Sequence, residues 1–220
     1  MPAANSYNNM KTLYISDLDG TLLQSNGTPS EFTVKTINDL IGKGMNITFA
    51  TARSYSSAAK ILPFFDLRIP AATMNGVFLT DTAGGTQKRV CFINRGAAMN
   101  VTDIMVDHGR PPFAYTYTRS GFLDVQYTVN KYDYEREFIA DRKALYHKFD
   151  YTKQYHISDR VVYINGLDKK ETIESICREL DEISGIRYSA YLDTYSDGLY
   201  FLEVYSVSGG KKNAAAALKG

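Results

Sequence analysis

Apolar residues follow two spacings in the first fifty residues, and each spacing predicts a different element. Residues 13–15 are a short apolar run that ends before Gly20, which is typical of a buried strand. From Ser30 to Gly42 apolar side chains recur every three or four positions, as on one face of a helix that Ser30 caps. Residues 45–50 form a second apolar run. Strand, helix and strand in this order predict a βαβ unit with parallel strands.

The next stretch predicts one more helix and a hairpin. Residues 51–62 have a helical pattern that Pro63 stops. Asn75-Gly76 lies between two apolar runs, which is foremost a turn signal and even a hairpin signal. Two short strands are predicted around residues 77–79 and 89–93, joined through a loop that contains Gly84 and Gly85.

From about Arg95 the pattern changes to hairpins with intervening helices. The predicted helices cover residues 99–108, 134–149 and 169–184, and the predicted strands cover residues 113–118, 122–128, 160–165, 186–192 and 199–205. This α+β layer is too large for a loop. We therefore predict an α/β core formed by residues 1–81 and 206–220, into which residues 82–205 are inserted as a second domain.

Composition excludes several classes of partner. The chain has 220 residues with 25 basic and 24 acidic side chains, and this net charge of +1 gives no electrostatic reason to bind nucleic acid or a membrane surface. No apolar run reaches membrane-spanning length, and the polar N-terminus lacks the features of a signal peptide. Cys91 and Cys177 fit no metal-binding spacing and are expected to be free thiols. We expect a cytoplasmic protein, and nothing in the sequence indicates an oligomeric state.

The strongest candidate for chemistry is the acidic loop after the first strand. Asp17 and Asp19 are two positions apart and therefore leave the strand towards the same side, where α/β folds bind their ligands. One carboxylate can act as a nucleophile while the other moves a proton, and together they can hold a divalent cation. The simpler alternative is a turn, because Asp and Gly are common turn residues.

Two further stretches have alternative interpretations. Thr51 ends the second strand beside a helix N-terminus, so its hydroxyl could bind a phosphate oxygen or could merely cap the helix. Gly209-Gly210-Lys211 precedes a helix and invites a P-loop interpretation. That interpretation fails, because a P-loop needs glycine at Tyr205 and Ser or Thr at Lys212.

These stretches together resemble the haloacid dehalogenase (HAD) superfamily. Its first signature, Asp-x-Asp-Gly-Thr-Leu, is matched by Asp17-Leu18-Asp19-Gly20-Thr21-Leu22. Thr51-Ala52-Arg53 is similar to the second signature, which reads Thr-Gly-Arg in the Cof-type branch, and Asn75-Gly76 is similar to an Asn-Gly-Ala stretch of the same branch. Lys211 resembles the lysine of the third signature, which opens a helix, but the register leaves Lys212 as an alternative. Cof-type members, subclass IIB, have a Rossmann-like parallel-sheet core with an inserted α+β cap of type C2B.

The resemblance implies a role for each of these residues. Asp17 would be the nucleophile and Asp19 the general acid and base. Mg²⁺ would be bound by the Asp17 carboxylate and the Asp19 backbone carbonyl. The ligands of the substrate phosphate would be Thr51, Lys211, Asn75 and Arg53.

One part of the family pattern is missing. After its lysine the superfamily continues with Gly-Asp-x-x-x-Asp, which completes the metal site, whereas this sequence ends at Gly220. The core should therefore have an open sheet edge and an exposed apolar helix face. Either the chain is a fragment of a longer product, or the remaining residues lie outside the resolved part of the protein, or the protein is naturally short and inactive. We favour a fragment.

Three functions are compatible with these observations. The first is a Mg²⁺-dependent phosphatase of small phosphorylated metabolites, with sugar phosphates as the expected substrates and an aspartyl-phosphate intermediate. The second is a non-catalytic or truncated binding protein, which the missing acidic motif keeps open. The third is a sugar phosphomutase, which the hairpin-rich cap disfavours because superfamily mutases resemble a branch with a helical cap.

Overall fold

This computed structural model describes residues 12–128, 132–193, 196 and 198–219. Within these residues the strands form three sheets. In chain order the first elements are β1 (Leu13–Ser16), α1 (Glu31–Gly42), β2 (Asn46–Phe49) and α2 (Tyr55–Ala58). β1 pairs with β2 in parallel, with Ser16 opposite Phe49. Helix α1 crosses between them and is capped by Ser30, whose hydroxyl accepts a hydrogen bond from the Thr33 backbone N–H at 3.1 Å. The predicted βαβ unit is confirmed.

The core sheet continues through three further strands, β3 (Ala71–Thr73), β4 (Phe78–Thr80) and β5 (Gln87–Val90). A parallel bridge between Ala50 and Ala72 joins β2 to β3, and β3, β4 and β5 pair antiparallel in that order. β3 and β4 are joined by a 3-10 turn over Met74–Gly76, so the hairpin predicted at Asn75-Gly76 is confirmed.

The position of β5 bears on the domain boundaries. The sequence predicts that the core gives way to the cap at residue 82, yet β5 pairs with β4 and so extends the core sheet. This pairing favours a boundary after Val90, and the division into residues 1–81 with 206–220 and residues 82–205 stays a prediction.

A six-stranded sheet forms most of the second layer. Its strands are β6 (Phe113–Tyr117), β7 (Leu123–Tyr127), β8 (Lys148–Tyr151), β9 (Val161–Asp168), β10 (Ile186–Leu192) and β11 (Tyr200–Ser206), and its helices are α3 (Arg95–Asp107), α4 (Asp133–Lys143) and α5 (Lys170–Leu180). The strand order is β10-β11-β9-β6-β7-β8, with every pair antiparallel except β7 and β8. Helices α3 and α5 cover one face, where Ile164, Leu202 and Val204 join Ile173 and Ile176 in a buried cluster.

The opposite face of this sheet contacts the core. Met74, Val77 and Phe78 of the β3–β4 hairpin belong to one buried cluster with Tyr115 and Tyr163 of the cap sheet. Apolar contact of this kind fixes the cap sheet against the core hairpin. After β11 the chain leaves the cap and forms the last helix, α6 (Lys211–Lys219).

Two predicted helices are wrong in part. The helix predicted over residues 134–149 ends at Lys143, and residues 148–151 form the strand β8, because pairing with β7 overrides local propensity. The helix predicted over residues 51–62 begins only after Ser54, whose hydroxyl caps it, and α2 ends at Ala58 before a 3-10 turn over Leu62–Phe64. Thr51 is therefore not the helix cap.

The outer edge of the core is exposed. Among the described residues β1 pairs only with β2, and Tyr14 of β1 is 49% exposed, so the prediction of a buried strand is wrong for this side chain. Phe32 on α1 is 79% exposed. Both exposures agree with the expected open edge and exposed helix face.

The cap buries an ion pair. The Arg110 guanidinium is fully buried and donates a hydrogen bond from Nη2 to Oε1 of Glu135, which is 1% exposed. Burial lowers the pKa of Arg110 to about 10. None of the helices in the described residues combines the length and apolar character needed to cross a bilayer.

Candidate active site

Asp17 lies at the carboxyl end of β1 and is held from two sides. The buried side chain of Leu18 anchors the loop, and the Leu18 backbone N–H donates a hydrogen bond to Asp17 Oδ1 at 2.8 Å. Lys211, the first residue of α6, donates a hydrogen bond from its Nζ to Asp17 Oδ2. The Asp17 side chain keeps 39% of its surface exposed. It is therefore oriented by the protein and still accessible to a ligand.

Asp19 is paired with Arg53 in a two-point contact. Arg53 Nε donates to Asp19 Oδ2 at 2.8 Å, and Arg53 Nη2 donates to Oδ1 at 2.7 Å. This pairing with Arg53 holds the pKa of Asp19 below its ordinary value, against the opposing effect of partial burial. In this arrangement Asp19 is a carboxylate, and it becomes a better proton donor only when Arg53 moves to another anion.

Thr51 follows β2 by two residues and lies next to the acidic loop. Its side chain is 1% exposed, and its hydroxyl accepts a hydrogen bond from the Arg53 backbone N–H at 3.1 Å. The pairing of Ser16 with Phe49 places the residues that follow both strands at one edge of the sheet. Thr51, Arg53, Asp17 and Asp19 therefore lie at the same edge of the sheet, and their predicted roles stay predictions.

Asn75 is held towards the cap. It lies in the left-handed region with φ 54°, next to Met74 with φ 46°, which is strained for residues with a Cβ atom. Its Nδ2 donates to the Tyr163 hydroxyl at 2.9 Å and to Glu203 Oε2 at 3.0 Å. Its predicted role as a phosphate ligand stays a prediction, since in this structure its amide hydrogens bind cap residues.

Side-chain hydrogen bonds fix the loop before α6 and so determine the position of Lys211. Asn213 donates from Nδ2 to the carbonyls of Val207 and Gly209 at 2.9 and 2.8 Å, and Arg89 donates from Nη2 to the carbonyl of Ser208 at 2.8 Å. Lys212, the alternative left open by the sequence, is exposed. The structure thus places Lys211 at the acidic loop.

A cavity of about 440 Å³ separates the acidic loop from the cap sheet. Asp19, Arg53 and Ser54 line it from the core. From the cap it is lined chiefly by aromatic and polar side chains, among them Tyr115, Arg142, Tyr146, Tyr163, Asn165 and Glu203. A partly aromatic cleft beside a carboxylate pair is typical of a small-molecule site.

The sequence profile of the haloacid dehalogenase-like hydrolases matches residues 14–219. The chain belongs to this family. The resemblance inferred from the acidic loop, the threonine and the lysine is thereby confirmed, and so is the predicted α/β class with a HAD-like core and cap.

Similar proteins support this HAD family assignment. A Mycoplasma genitalium protein named "Putative phosphatase MG265" is 26% identical over 196 residues, which cover 79% of this chain and 65% of that protein. The chain therefore spans slightly less than two thirds of this relative's length.

Solved structures with low sequence identity share the fold. A haloacid dehalogenase-like hydrolase from B. subtilis aligns with a TM-score of 0.69 at 15% identity, covering 94% of this chain and 78% of that one. The HAD subclass IIB sugar phosphatase BT4131 aligns with a TM-score of 0.68 at 15% identity, covering 93% of this chain and 73% of that one.

The HAD signatures did not point to the polar residues of the cap. Glu203 is buried, and this burial raises its pKa. The sequence does contain a pattern that marks Glu203. It alternates with Phe201 and Tyr205 on one strand face, where a core residue would be apolar.

The oxygen atoms of the acidic loop suit Mg²⁺. Among the described residues no group of three or more His, Cys, Asp and Glu side chains could hold a metal ion. Mg²⁺ is, however, commonly bound through one or two carboxylates together with water and substrate phosphate. The Asp17 carboxylate, which still has exposed surface, and the Asp19 carbonyl are donors of this type, so the residues present fit that ion.

Proposed function

We propose that this HAD family member hydrolyses phosphate monoesters of small metabolites, with sugar phosphates as the expected substrates. The observation that carries the proposal is the contact of Lys211 with Asp17, because it brings a cation from a distant part of the chain to the predicted nucleophile. The alignment with a subclass IIB sugar phosphatase supports this choice of substrate. The Mycoplasma genitalium relative supports a phosphatase more generally.

The chemistry uses residues that the fold holds in place. Asp17 attacks phosphorus in line, so that a bond forms between its carboxylate oxygen and phosphorus while the ester bond to the leaving alkoxide breaks. Asp19 gives its proton to the alkoxide and then removes one from the water that attacks the aspartyl-phosphate, which releases inorganic phosphate and restores Asp17.

Several groups compensate the charge of the transferring phosphoryl group. Lys211 lies beside Asp17, and the N-terminus of α6 adds a positive dipole end at the same place. Thr51 has a buried hydroxyl at the same edge of the sheet, and we assign it to a phosphate oxygen. Mg²⁺, bound by Asp17 and the Asp19 carbonyl, would neutralise negative charge between nucleophile and phosphate.

Arg53 has a switching role in this scheme. Its guanidinium pairs with Asp19 in the structure and suits a two-point contact with a phosphate equally well. When it turns to the substrate phosphate, Asp19 loses the cation that lowers its pKa and can carry a proton.

The same pairing favours a second candidate function, namely binding of phosphorylated ligands without turnover. If Arg53 stays on Asp19, the proton donor remains ionised and the aspartyl-phosphate is not formed.

The test is hydrolysis of p-nitrophenyl phosphate with and without Mg²⁺, by the wild type and by Asp17→Asn. We expect Mg²⁺-dependent turnover that Asp17→Asn abolishes, and a phosphorylated wild-type protein after rapid acid quench. Turnover that survives in Asp17→Asn would contradict the proposal, and ligand binding with no turnover would support the second function.

A further inference from the structure

A carboxylate and an amide lie side by side on the cap sheet, facing the cavity. Glu203 of β11 is paired in register with Asn165 of β9, so both side chains leave the same face of the sheet. They are 6% and 4% exposed, and both line the cavity that also contains Asp19. The phosphatase chemistry above uses neither of them.

The hydrogen-bonding capacity of this pair is not exhausted. Asn165 Nδ2 donates to the Tyr115 hydroxyl at 3.3 Å, whereas Asn165 Oδ1 is buried without a hydrogen-bond partner in the described part of the chain. Buried polar atoms without partners are rare and costly in folded proteins. Glu203 accepts from Asn75, and the hydroxyls of Tyr163 and Tyr191 act to lower its pKa, but its two oxygens can accept up to four hydrogen bonds. The pair therefore offers acceptors to a ligand.

We infer that Glu203 and Asn165 form a subsite that binds hydroxyl groups on the leaving group of the substrate. This inference rests on the proposed phosphatase function, because it assumes that the phosphate lies at the acidic loop. A substrate held there directs the rest of the molecule across the cavity to the cap sheet, where acceptors select hydroxyl donors.

The charge of the subsite also excludes ligands. A buried carboxylate repels a second anionic group that lies against it, so a leaving group with its own carboxylate is disfavoured. The neighbouring aromatic rings of Tyr115, Tyr191 and Phe201 offer apolar surface to the carbon skeleton of a polyol. The preferred leaving group is thus neutral and rich in hydroxyls.

A merely structural role makes a different prediction. The hydrogen bond between Asn75 and Glu203 connects the core hairpin with the cap sheet. If Glu203 only held the cap in place, its replacement would weaken the binding of all phosphate esters alike. Asn75→Ala would then have the same effect.

Binding by isothermal titration calorimetry tests the subsite without requiring turnover. The ligands are glucitol 6-phosphate, which has free hydroxyls, phenyl phosphate, which has none, and 6-phosphogluconate, which adds a carboxylate, all in EDTA. The variants are Glu203→Gln, which keeps the shape of the side chain, and Asn165→Ala, with the exposed Glu182→Gln as matched control and Asn75→Ala as the test for cap docking. Melting temperatures verify that each variant folds.

We expect the wild type to bind glucitol 6-phosphate more tightly than phenyl phosphate and 6-phosphogluconate. Glu203→Gln should weaken glucitol 6-phosphate by about tenfold to a hundredfold, the range for a hydrogen bond to a charged group. Asn165→Ala should weaken the same ligand, and neither variant should alter phenyl phosphate binding.

Four outcomes overturn the inference. In the first two, the Glu203 and Asn165 variants weaken the binding of glucitol 6-phosphate and of phenyl phosphate equally, or weaken neither. In the third, the wild type does not prefer glucitol 6-phosphate. In the fourth, Asn75→Ala causes the same selective loss of glucitol 6-phosphate binding. Selective binding by a protein that hydrolyses no ester leaves the subsite intact and refutes the phosphatase proposal. If the protein hydrolyses p-nitrophenyl phosphate but Glu203→Gln leaves the binding of glucitol 6-phosphate unchanged, the phosphatase proposal stands and the subsite is refuted.

Discussion

The Lys211 ammonium donates a hydrogen bond to the Asp17 carboxylate although the two residues are 194 positions apart in the chain. The contact forms because α6 begins where the chain leaves the cap, with its first turn directed at the acidic loop after β1. A lysine at a helix N-terminus is unfavourable for the helix itself, since the helix dipole is positive at that end. The arrangement is therefore better explained by binding of an anion than by stability of the helix.

Removal of the Lys211 ammonium should reduce catalysis. We expect Lys211→Met to lower kcat for p-nitrophenyl phosphate by about 10²–10³, the usual loss when one preorganised donor to a developing charge is removed. Lys212→Met, which alters the neighbouring exposed lysine, should leave kcat unchanged. Steady-state kinetics at saturating Mg²⁺ measure both, and similar losses in the two variants would contradict the assignment.

Replacement of Arg53 should raise the pKa of Asp19. The Arg53 guanidinium holds that pKa below its ordinary value, so Arg53→Met should move it upwards, with the exposed Arg68→Met as a control that leaves it unchanged. Titration of the Asp19 carboxyl group by ¹³C NMR measures the shift.

The same pair has a consequence for the pH dependence of stability. Because the folded-state pKa of Asp19 is lowered, the pair stabilises the fold above the unfolded-state pKa, and this contribution is lost as the pH falls through the folded-state pKa. Since Asp19 is half exposed, the contribution is small. A titration curve of Asp19 that is identical in wild type and Arg53→Met would show that the contact is absent in solution.

The parts of the fold that could be predicted from sequence are those encoded locally. The apolar runs of β1 and β2, the Ser30 cap and the Asn75-Gly76 turn each depend on a few neighbouring residues. The acidic loop was predictable because two carboxylates directly after a strand form a short sequence motif that is suited to catalysis and metal binding.

The parts that could not be predicted depend on distant pairing. Residues 148–151 have a mixed charged and aromatic sequence and become a strand only because β7 offers them an edge. The hydrogen-bond partners of Asn75, Tyr163 and Glu203, lie 88 and 128 positions further along the chain, so no local sequence pattern predicts these contacts. Buried polar residues in the cap have the same origin, since their burial is decided by packing of the whole layer.

The buried ion pair in the cap should be important for stability. We expect Arg110→Met to lower the free energy of unfolding by about 3–5 kcal/mol, because it leaves the buried Glu135 carboxylate without this guanidinium. Arg136→Met is the matched control on α4, since Arg136 pairs with Asp133 at the surface, and it should leave the free energy of unfolding nearly unchanged. Urea unfolding followed by circular dichroism measures both.

A double variant distinguishes loss of the pair from loss of volume. Arg110→Met with Glu135→Leu removes both charges, and it should be less destabilised than Arg110→Met alone because no buried carboxylate remains at position 135. If the double variant is the less stable of the two, the apolar stem of Arg110 rather than its charge carries the effect.

Gly76 should be intolerant of a side chain because α6 approaches it closely. It has φ 79°, and a Cβ atom at this position would lie 2.6 Å from the carbonyl oxygen of Gly210, the residue before Lys211. Gly76→Ala should therefore cost more than the roughly 1–2 kcal/mol that the left-handed conformation alone costs an alanine. It should also lower kcat, because relief of the clash displaces Lys211 from Asp17.

The matched control for Gly76→Ala is Gly109→Ala. Gly109 has φ 66°, with no atom within 4 Å of an added Cβ, so this variant carries the backbone strain without the clash. We expect Gly109→Ala to lower the free energy of unfolding by about 1–2 kcal/mol and to leave kcat unchanged. Urea unfolding and p-nitrophenyl phosphate kinetics on both variants separate the two effects. Equal destabilisation, with kcat preserved in Gly76→Ala, would mean that α6 can shift without moving Lys211, and the close approach would then not be what positions the lysine.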